Sequence, residues 1–292
     1  MWLVHLEQQG KAAATVVGYG RDLRDFARWY REAFGEEMAP AAIMPRDIED
    51  YKAYLQTVRV AAPRTVNRRI AALSRFFKWA AGQDLAHRDP TTGTRAVRLP
   101  PRRPKALTPK DEHRLLRTVH ETENWRDIAM VEVMLGTGVR VGELLALHRS
   151  DVVLRERSGT LTVRRGKGGV TRKVPLRFEA RVALKSYLDQ VRPQLEANDP
   201  LWQGIRGAIH DPSAINRLLD KYARWAGIKE LTPHTLRHTF ATRYLEANPG
   251  DLRGLAALLG HASLDTVMIY TEPSEEELAE RVEKTDRARS AE

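Results

Sequence analysis

The chain has 292 residues, 42% of them hydrophobic and 29% charged, with a formal net charge of +10 and no cysteine. That length accommodates two compact domains, the composition is globular rather than disordered or fibrous, and the absence of cysteine excludes disulfides, thiolate nucleophiles and cysteine-bound metals. The positive charge, with a sequence pI near 9.9, points to a polyanionic partner.

The opening stretch Met1-Trp2-Leu3-Val4-His5-Leu6-Glu7 has too short an apolar run for a signal peptide. No segment approaches the ~20 apolar residues of a membrane span, so a soluble, cytoplasmic protein is expected. Over residues 15–30, Val16, Tyr19, Leu23, Phe26 and Tyr30 recur at a helical period. A second helix is predicted after Pro45, through Ile48, Tyr51, Tyr54 and Leu55. Over residues 65–81, Val66, Ile70, Leu73 and Phe77 form one apolar stripe. Arg64, Arg68, Arg69, Arg75 and Lys78 lie off that stripe. Such residues form either a solvated charged face or a helix laid against DNA phosphates; the basic context favours the second.

Leu99-Pro100-Pro101-Arg102-Arg103-Pro104-Lys105 reads as a stiff linker with added positive charge at Arg102, Arg103 and Lys105. Thr108 then caps a helix with Pro109 in its first position. The second half is mainly helical with one β insert: a short strand at 151–154 and a hairpin of 160–164 with 171–175 around Gly166-Lys167-Gly168-Gly169. Further helices are predicted over 178–191, 213–226, 233–246, 251–259 and 264–270.

Six residues of this half carry chemistry: Arg140, Lys167, His234, Arg237, His261 and Tyr270. Arginines, a lysine and histidines are the groups that hold a phosphodiester and neutralise its transition state, and a tyrosine supplies an attacking oxygen. Arg140 stands at a glycine-loosened helix start in Thr137-Gly138-Val139-Arg140-Val141-Gly142-Glu143-Leu144, where backbone N–H groups favour an anion. Glu143 follows one turn on; taken alone, the two are a helix-surface ion pair. Lys167 at a hairpin tip is either simply solvated or, swung into a low-dielectric site, a general acid. In Thr232-Pro233-His234-Thr235-Leu236-Arg237-His238, Thr232 is the N-cap, and His234 and Arg237 share a face near the positive helix end. His238 reads as a core histidine. Leu258-Leu259-Gly260-His261-Ala262-Ser263 ends one helix at Gly260 and starts another at Ser263, which leaves His261 in the turn between them. Tyr270 alone is a packing residue at a core edge.

Taken in order, Arg-x-x-Glu-Leu, a lysine on a β-turn, His-x-x-Arg-His, Leu-Gly-His and a tyrosine nine residues later resemble the tyrosine recombinases, or phage integrase superfamily, in their two-domain Xer-type form. The resemblance covers the second domain, and residues 15–79 resemble the family's core-binding domain less specifically. It implies a mainly α fold. An N-terminal helical core-binding (SAM-like) domain would span 1–98 and a basic linker 99–107. A mainly helical catalytic domain with a small three-stranded antiparallel β-sheet would span 108–272. A tail helix within 273–292, opened by the capping box Ser274-Glu275-Glu276-Glu277, would dock in cis or on a neighbouring protomer.

The resemblance also implies roles. Arg140, His234, Arg237 and His261 would bind the scissile phosphate, Lys167 would protonate the leaving 5′-oxygen, Tyr270 would be the nucleophile and Glu143 would orient the site. Double-stranded DNA would be cut and rejoined through a 3′-phosphotyrosine and a four-way junction. A tetramer would form on paired sites, with or without a partner recombinase or accessory protein, and without metal, ATP or other cofactor. Two other readings stay open: a non-catalytic DNA-binding protein on the same fold, and a type IB topoisomerase-like enzyme that only relaxes DNA.

Overall fold

The computed structural model describes residues 1–99, 106–164, 171–205 and 207–260. Arg102, Arg103, Lys105, Lys167, His261, Tyr270, the predicted helix at 264–270 and the tail helix lie outside the described residues. The chain divides into two compact units, Met1–Arg102 and Arg103–Glu292, each with its own apolar core. Among the described residues no helix is long and apolar enough to cross a membrane.

The first unit is helical: α1 (Trp2–Gln8), α2 (Ala13–Phe34), α3 (Pro45–Thr57) and α4 (Pro63–Ala81). The prolines open α3 and α4 at the position where a missing N–H does no harm. The apolar stripe predicted on α4 faces inward: Val66, Leu73 and Phe77 are fully buried. Phe77 meets Phe26 of α2 edge-on, and Phe26 in turn meets Tyr51 of α3 with ring centroids 5.0 Å apart. The short α1 is an addition to the helices expected from sequence; it is held by Trp2, packed edge-on against Phe76 at 5.3 Å.

The second unit follows in the order α5 (Pro109–His120), α6 (Trp125–Thr137), α7 (Val141–Leu145), β1 (Val152–Leu154), β2 (Gly159–Val163), β3 (Arg172–Pro175), α8 (Phe178–Val191), β4 (Gln203–Gly204), β5 (Gly207–Ala208), α9 (Pro212–Ala226), α10 (Pro233–Ala247) and α11 (Leu252–Leu259). The fold is therefore mainly α with a small antiparallel sheet ordered β1-β2-β3. Leu161 stands opposite both Val152 and Val174, and all three are buried, so the sheet presents one apolar face to the core. Thr108 accepts from the Asp111 N–H at the start of α5, and Thr232 from the Thr235 N–H at the start of α10, as the capping pattern predicts.

The central helix is α6, packed against α8 and α10. It is absent from the helices predicted above. From Ile128 to Leu135 every residue is buried, Glu132 included, so it has no polar stripe to betray a helical period. The β4–β5 ribbon is also new, being only two residues per strand.

Candidate active site

The site begins where α6 ends. Gly138 closes α6 with φ +62°, a left-handed conformation that favours glycine. A Cβ there would lie 2.5 Å from Phe240 Cδ1 and 2.8 Å from Leu259 Cδ2, so the absence of a side chain lets the turn approach both α10 and α11. Two residues on, Arg140 caps α7 in an extended conformation. Its backbone N–H donates to Glu143 Oε2 at 2.9 Å and its Nη1 to Oε1 at 3.0 Å. The ion pair read from the sequence is present.

Arg237 lies one turn into α10, 5% exposed, and joins separate segments. Its Nη1 donates to the Gly138 carbonyl at 2.6 Å and its Nη2 to the Leu259 carbonyl at 2.9 Å. His234 is exposed near the start of α10. His238, on the same helix, is half-buried.

The carbonyl end of α11 collects these charges. Gly260 terminates that helix with φ +63°. Leu259 O accepts from Arg140 Nη1 at 3.3 Å as well as from Arg237, and Leu258 O accepts from Arg172 Nε at 2.7 Å. A helix C-terminus carries unsatisfied carbonyls and partial negative charge, so it holds guanidinium groups that would otherwise repel one another. Arg140, Val141, Gly142, Glu143, Pro233, His234 and Arg237 line a pocket of about 340 Å³. The four residues of the predicted phosphate-chemistry set within the described segments, Arg140, Glu143, His234 and Arg237, thus come together.

Arg172 is the residue sequence reasoning missed. It sits on the inward face of β3 two residues from buried Val174, and its fork meets Glu143 with Nη1 to Oε1 at 3.1 Å and Nη2 to Oε2 at 2.7 Å. A period of two places Arg172 and Val174 on one face, and a charged residue on an inward strand face demands a partner; that was the available signal. Burial pushes the Glu143 carboxyl up. The hydrogen bonds from Arg172 and Arg140 outweigh it and hold the group below the ordinary carboxylate range, so it is an anion at neutral pH.

In the first unit, Arg64, Arg68, Arg75 and Lys78 are exposed along α4. Arg68 pairs with the buried Asp22 of α2, and Arg75 lies over the Tyr19 ring at 5.5 Å. Arg69 differs from these neighbours. It turns inward, its side chain 18% exposed against 51% for Arg68, to pair with Asp25, which also accepts from the Tyr51 hydroxyl at 2.9 Å. Its guanidinium therefore faces the interior of the unit, while that of Arg68, also paired with an acid, stays half in solvent.

Comparison with known proteins identifies the family. Residues 105–277 match the phage integrase family, and residues 2–87 match the phage integrase N-terminal SAM-like domain. The tyrosine recombinase XerD of Ralstonia nicotianae is 37% identical over 284 residues, covering 95% of this chain and 88% of that protein. The crystal structure of XerA recombinase is 33% identical with a TM-score of 0.55, covering 97% and 95% of the two chains. XerH bound to its difH substrate is 21% identical with a TM-score of 0.73, covering 94% and 80%, a likeness of fold. With both units matched by models of one family and relatives alike over most of its length, the chain belongs to the phage integrase family, as a Xer-type tyrosine recombinase.

Proposed function

We propose that this recombinase exchanges strands of double-stranded DNA at specific sites by transesterification through Tyr270. The observation that carries this reading is the convergence of Arg140, Arg237 and His234 on one pocket beside the carbonyl end of α11. That helix ends at Leu259, with His261 and Tyr270 following in the sequence. Tyr270 gives up its phenolic proton to solvent and its oxygen attacks phosphorus, forming a 3′-phosphotyrosine and breaking the bond to the 5′-oxygen, which takes a proton from Lys167. One phosphoester bond is exchanged for another, so no ATP enters the balance. A phenol with a pKa of about 10 needs nearby cations to attack at neutral pH. Negative charge developing on the non-bridging oxygens is met by Arg140 and Arg237, with His234 and His261 donating. Return attack by the 5′-hydroxyl of a second duplex gives a four-way junction and then recombinants, within a tetramer on paired sites. A partner recombinase or accessory protein would act on that assembly in the cytoplasm.

The test is a nicked suicide substrate from which the released fragment diffuses away. Wild-type protein is expected to accumulate a covalent complex whose peptide map places the DNA on Tyr270, and Tyr270→Phe is expected to give none. A complex formed by Tyr270→Phe, or none formed by wild type on its own site, would overturn the reading.

The exposed face of α4, with Arg64, Arg68, Arg75 and Lys78, supports a DNA-backbone role for the first unit, joined by Arg102, Arg103 and Lys105. Arg69 contributes to that unit through its ion pair with Asp25. Each phosphate that is neutralised releases counterions, so affinity should fall steeply with salt. Replacing Arg64 and Arg75 together by glutamine should lower the slope of log affinity against log salt by about one for each phosphate no longer neutralised. An unchanged slope would remove those residues from the interface.

A further inference from the structure

We infer that Arg172 is a positioning residue for strand cleavage: a buried guanidinium clamp that fixes Glu143, and through it Arg140, against the carbonyl end of α11. This rests on the reading that Arg140 binds the scissile phosphate.

Glu143 accepts two N–H groups at each carboxylate oxygen. Oε1 takes Arg140 Nη1 at 3.0 Å and Arg172 Nη1 at 3.1 Å, while Oε2 takes the Arg140 backbone N–H at 2.9 Å and Arg172 Nη2 at 2.7 Å. The third nitrogen of Arg172, Nε, reaches the Leu258 carbonyl. One rigid fork therefore joins three segments that are distant in the chain: the start of β3, the first turn of α7 and the last turn of α11.

The two arginines on Glu143 are not equivalent. The Arg140 side chain is 29% exposed and that of Arg172 only 8%, so Arg140 is open to a phosphate and Arg172 is enclosed. The side-chain bonds of Arg140 to Glu143 and to Leu259 both run through Nη1, and a guanidinium has five donors. Arg172 neutralises the buried carboxylate, so that Arg140 serves as its partial partner only and the rest of its fork is left for substrate. Without Arg172 the buried carboxylate would depend on Arg140 alone, and an underpaired buried charge draws in whatever cation is nearest. Arg140 would become a counterion instead of a phosphate ligand. Gly260 fits this clamp: a Cβ there would lie 2.6 Å from Arg172 Nη1 and 2.9 Å from its Cζ, so the backbone at the end of α11 rests directly on the guanidinium.

The experiment is single-turnover cleavage of a nicked suicide substrate by the full chain at saturating protein, with DNA affinity and thermal melting measured alongside. Arg172→Ala should cleave about a hundredfold slower, the size of loss expected when a reacting group is displaced by about 1 Å, with affinity unchanged. Arg172→Lys, which keeps the charge but not the fork, should fall between alanine and wild type. Adding Glu143→Gln to Arg172→Ala should restore part of the rate, because no unpaired carboxylate then competes for Arg140. Val174→Ala, a core truncation on the same strand, measures what loss of stability alone does: it should lower the melting temperature and leave the cleavage rate intact.

Cleavage by Arg172→Ala at the wild-type rate, or a loss confined to DNA affinity, would overturn the inference. So would a Val174→Ala variant whose cleavage slows as much as that of Arg172→Ala for a comparable loss of melting temperature. If the alanine variant does not fold, Arg172→Lys decides: full-speed cleavage refutes the clamp, and slower cleavage at unchanged affinity supports it. Arg140→Ala, run in parallel, separates the two readings. An active Arg140→Ala would refute the phosphate assignment, whereas an inactive Arg140→Ala beside a normal Arg172→Ala would refute the clamp alone.

Discussion

Arg237→Ala is expected to slow strand cleavage by about a hundred- to a thousandfold, the usual consequence of removing one donor aimed at transition-state charge. Two properties of the residue set that figure. Electrostatically, Arg237 is a cation 5% exposed in a pocket shared with Arg140 and His234, where low polarisability strengthens its hold on an anion. Structurally, its fork ties the Gly138 carbonyl to the Leu259 carbonyl. Truncation takes a donor from each, which leaves Leu259 O to Arg140 and costs up to about 1–3 kcal/mol at a buried acceptor that loses its partner. The alanine variant should therefore also melt earlier. Arg237→Lys separates the two contributions, because a lysine keeps the charge yet cannot span both carbonyls with a planar fork. It should regain part of the stability but cleave well below the wild-type rate. Wild-type cleavage by Arg237→Lys would show that the bidentate geometry is irrelevant. Single-turnover rates on saturating substrate, with melting temperatures beside them, supply both readings.

The parts of this molecule that were legible in sequence share one property: their determinants are local. Pro109 and Pro233 mark helix starts because Thr108 and Thr232 sit immediately before them. The α4 stripe is readable because one helix face is apolar and the other is not. Arg140 with Glu143, and His234 with Arg237, are each three residues apart, so a helical turn alone brings each pair together. What escaped depended on distance or on uniform burial. Helix α6 is enclosed on all sides, and an enclosed helix loses the very periodicity by which it would be recognised. Arg172 meets Glu143 across 29 residues and Leu258 across 86, a pairing set by the β2–β3 register and the position of α11, not by spacing. Arg68 and Arg69 are adjacent in sequence, yet one helical step leaves Arg68 half in solvent and turns Arg69 inward to Asp25. An off-stripe arginine is legible; the acid waiting for it is not.

Gly138→Ala should be among the most damaging single-methyl changes in the second unit, although it adds no charge and removes no catalytic group. At φ +62° an L side chain crowds its own backbone, at about 1–2 kcal/mol. The new Cβ would also stand 2.5 Å from Phe240 Cδ1 and 2.8 Å from Leu259 Cδ2, and overpacking of a filled interior costs about 1–3 kcal/mol. Together these lower the melting temperature by roughly 4–20 °C, taking about 2–4 °C per kcal/mol for a unit of this size. The effect on cleavage should exceed the effect on stability. Gly138 O receives Arg237, Arg140 follows two residues later, and Leu259 O holds both guanidinium groups. Relief of the clash by moving the turn therefore moves Arg140 and Arg237, the two proposed phosphate ligands, relative to each other. Pairing the change with Phe240→Ala tests the cause. The nearer obstruction is then gone, and the double variant should be more stable than the sum of the single losses by about 0.5–3 kcal/mol, as for any two residues that touch. Strict additivity would place the damage in the backbone conformation alone. A Gly138→Ala protein that melts and cleaves like wild type would mean that the turn yields without disturbing either arginine, and that Phe240 and Leu259 give way to the new methyl at no cost to the site.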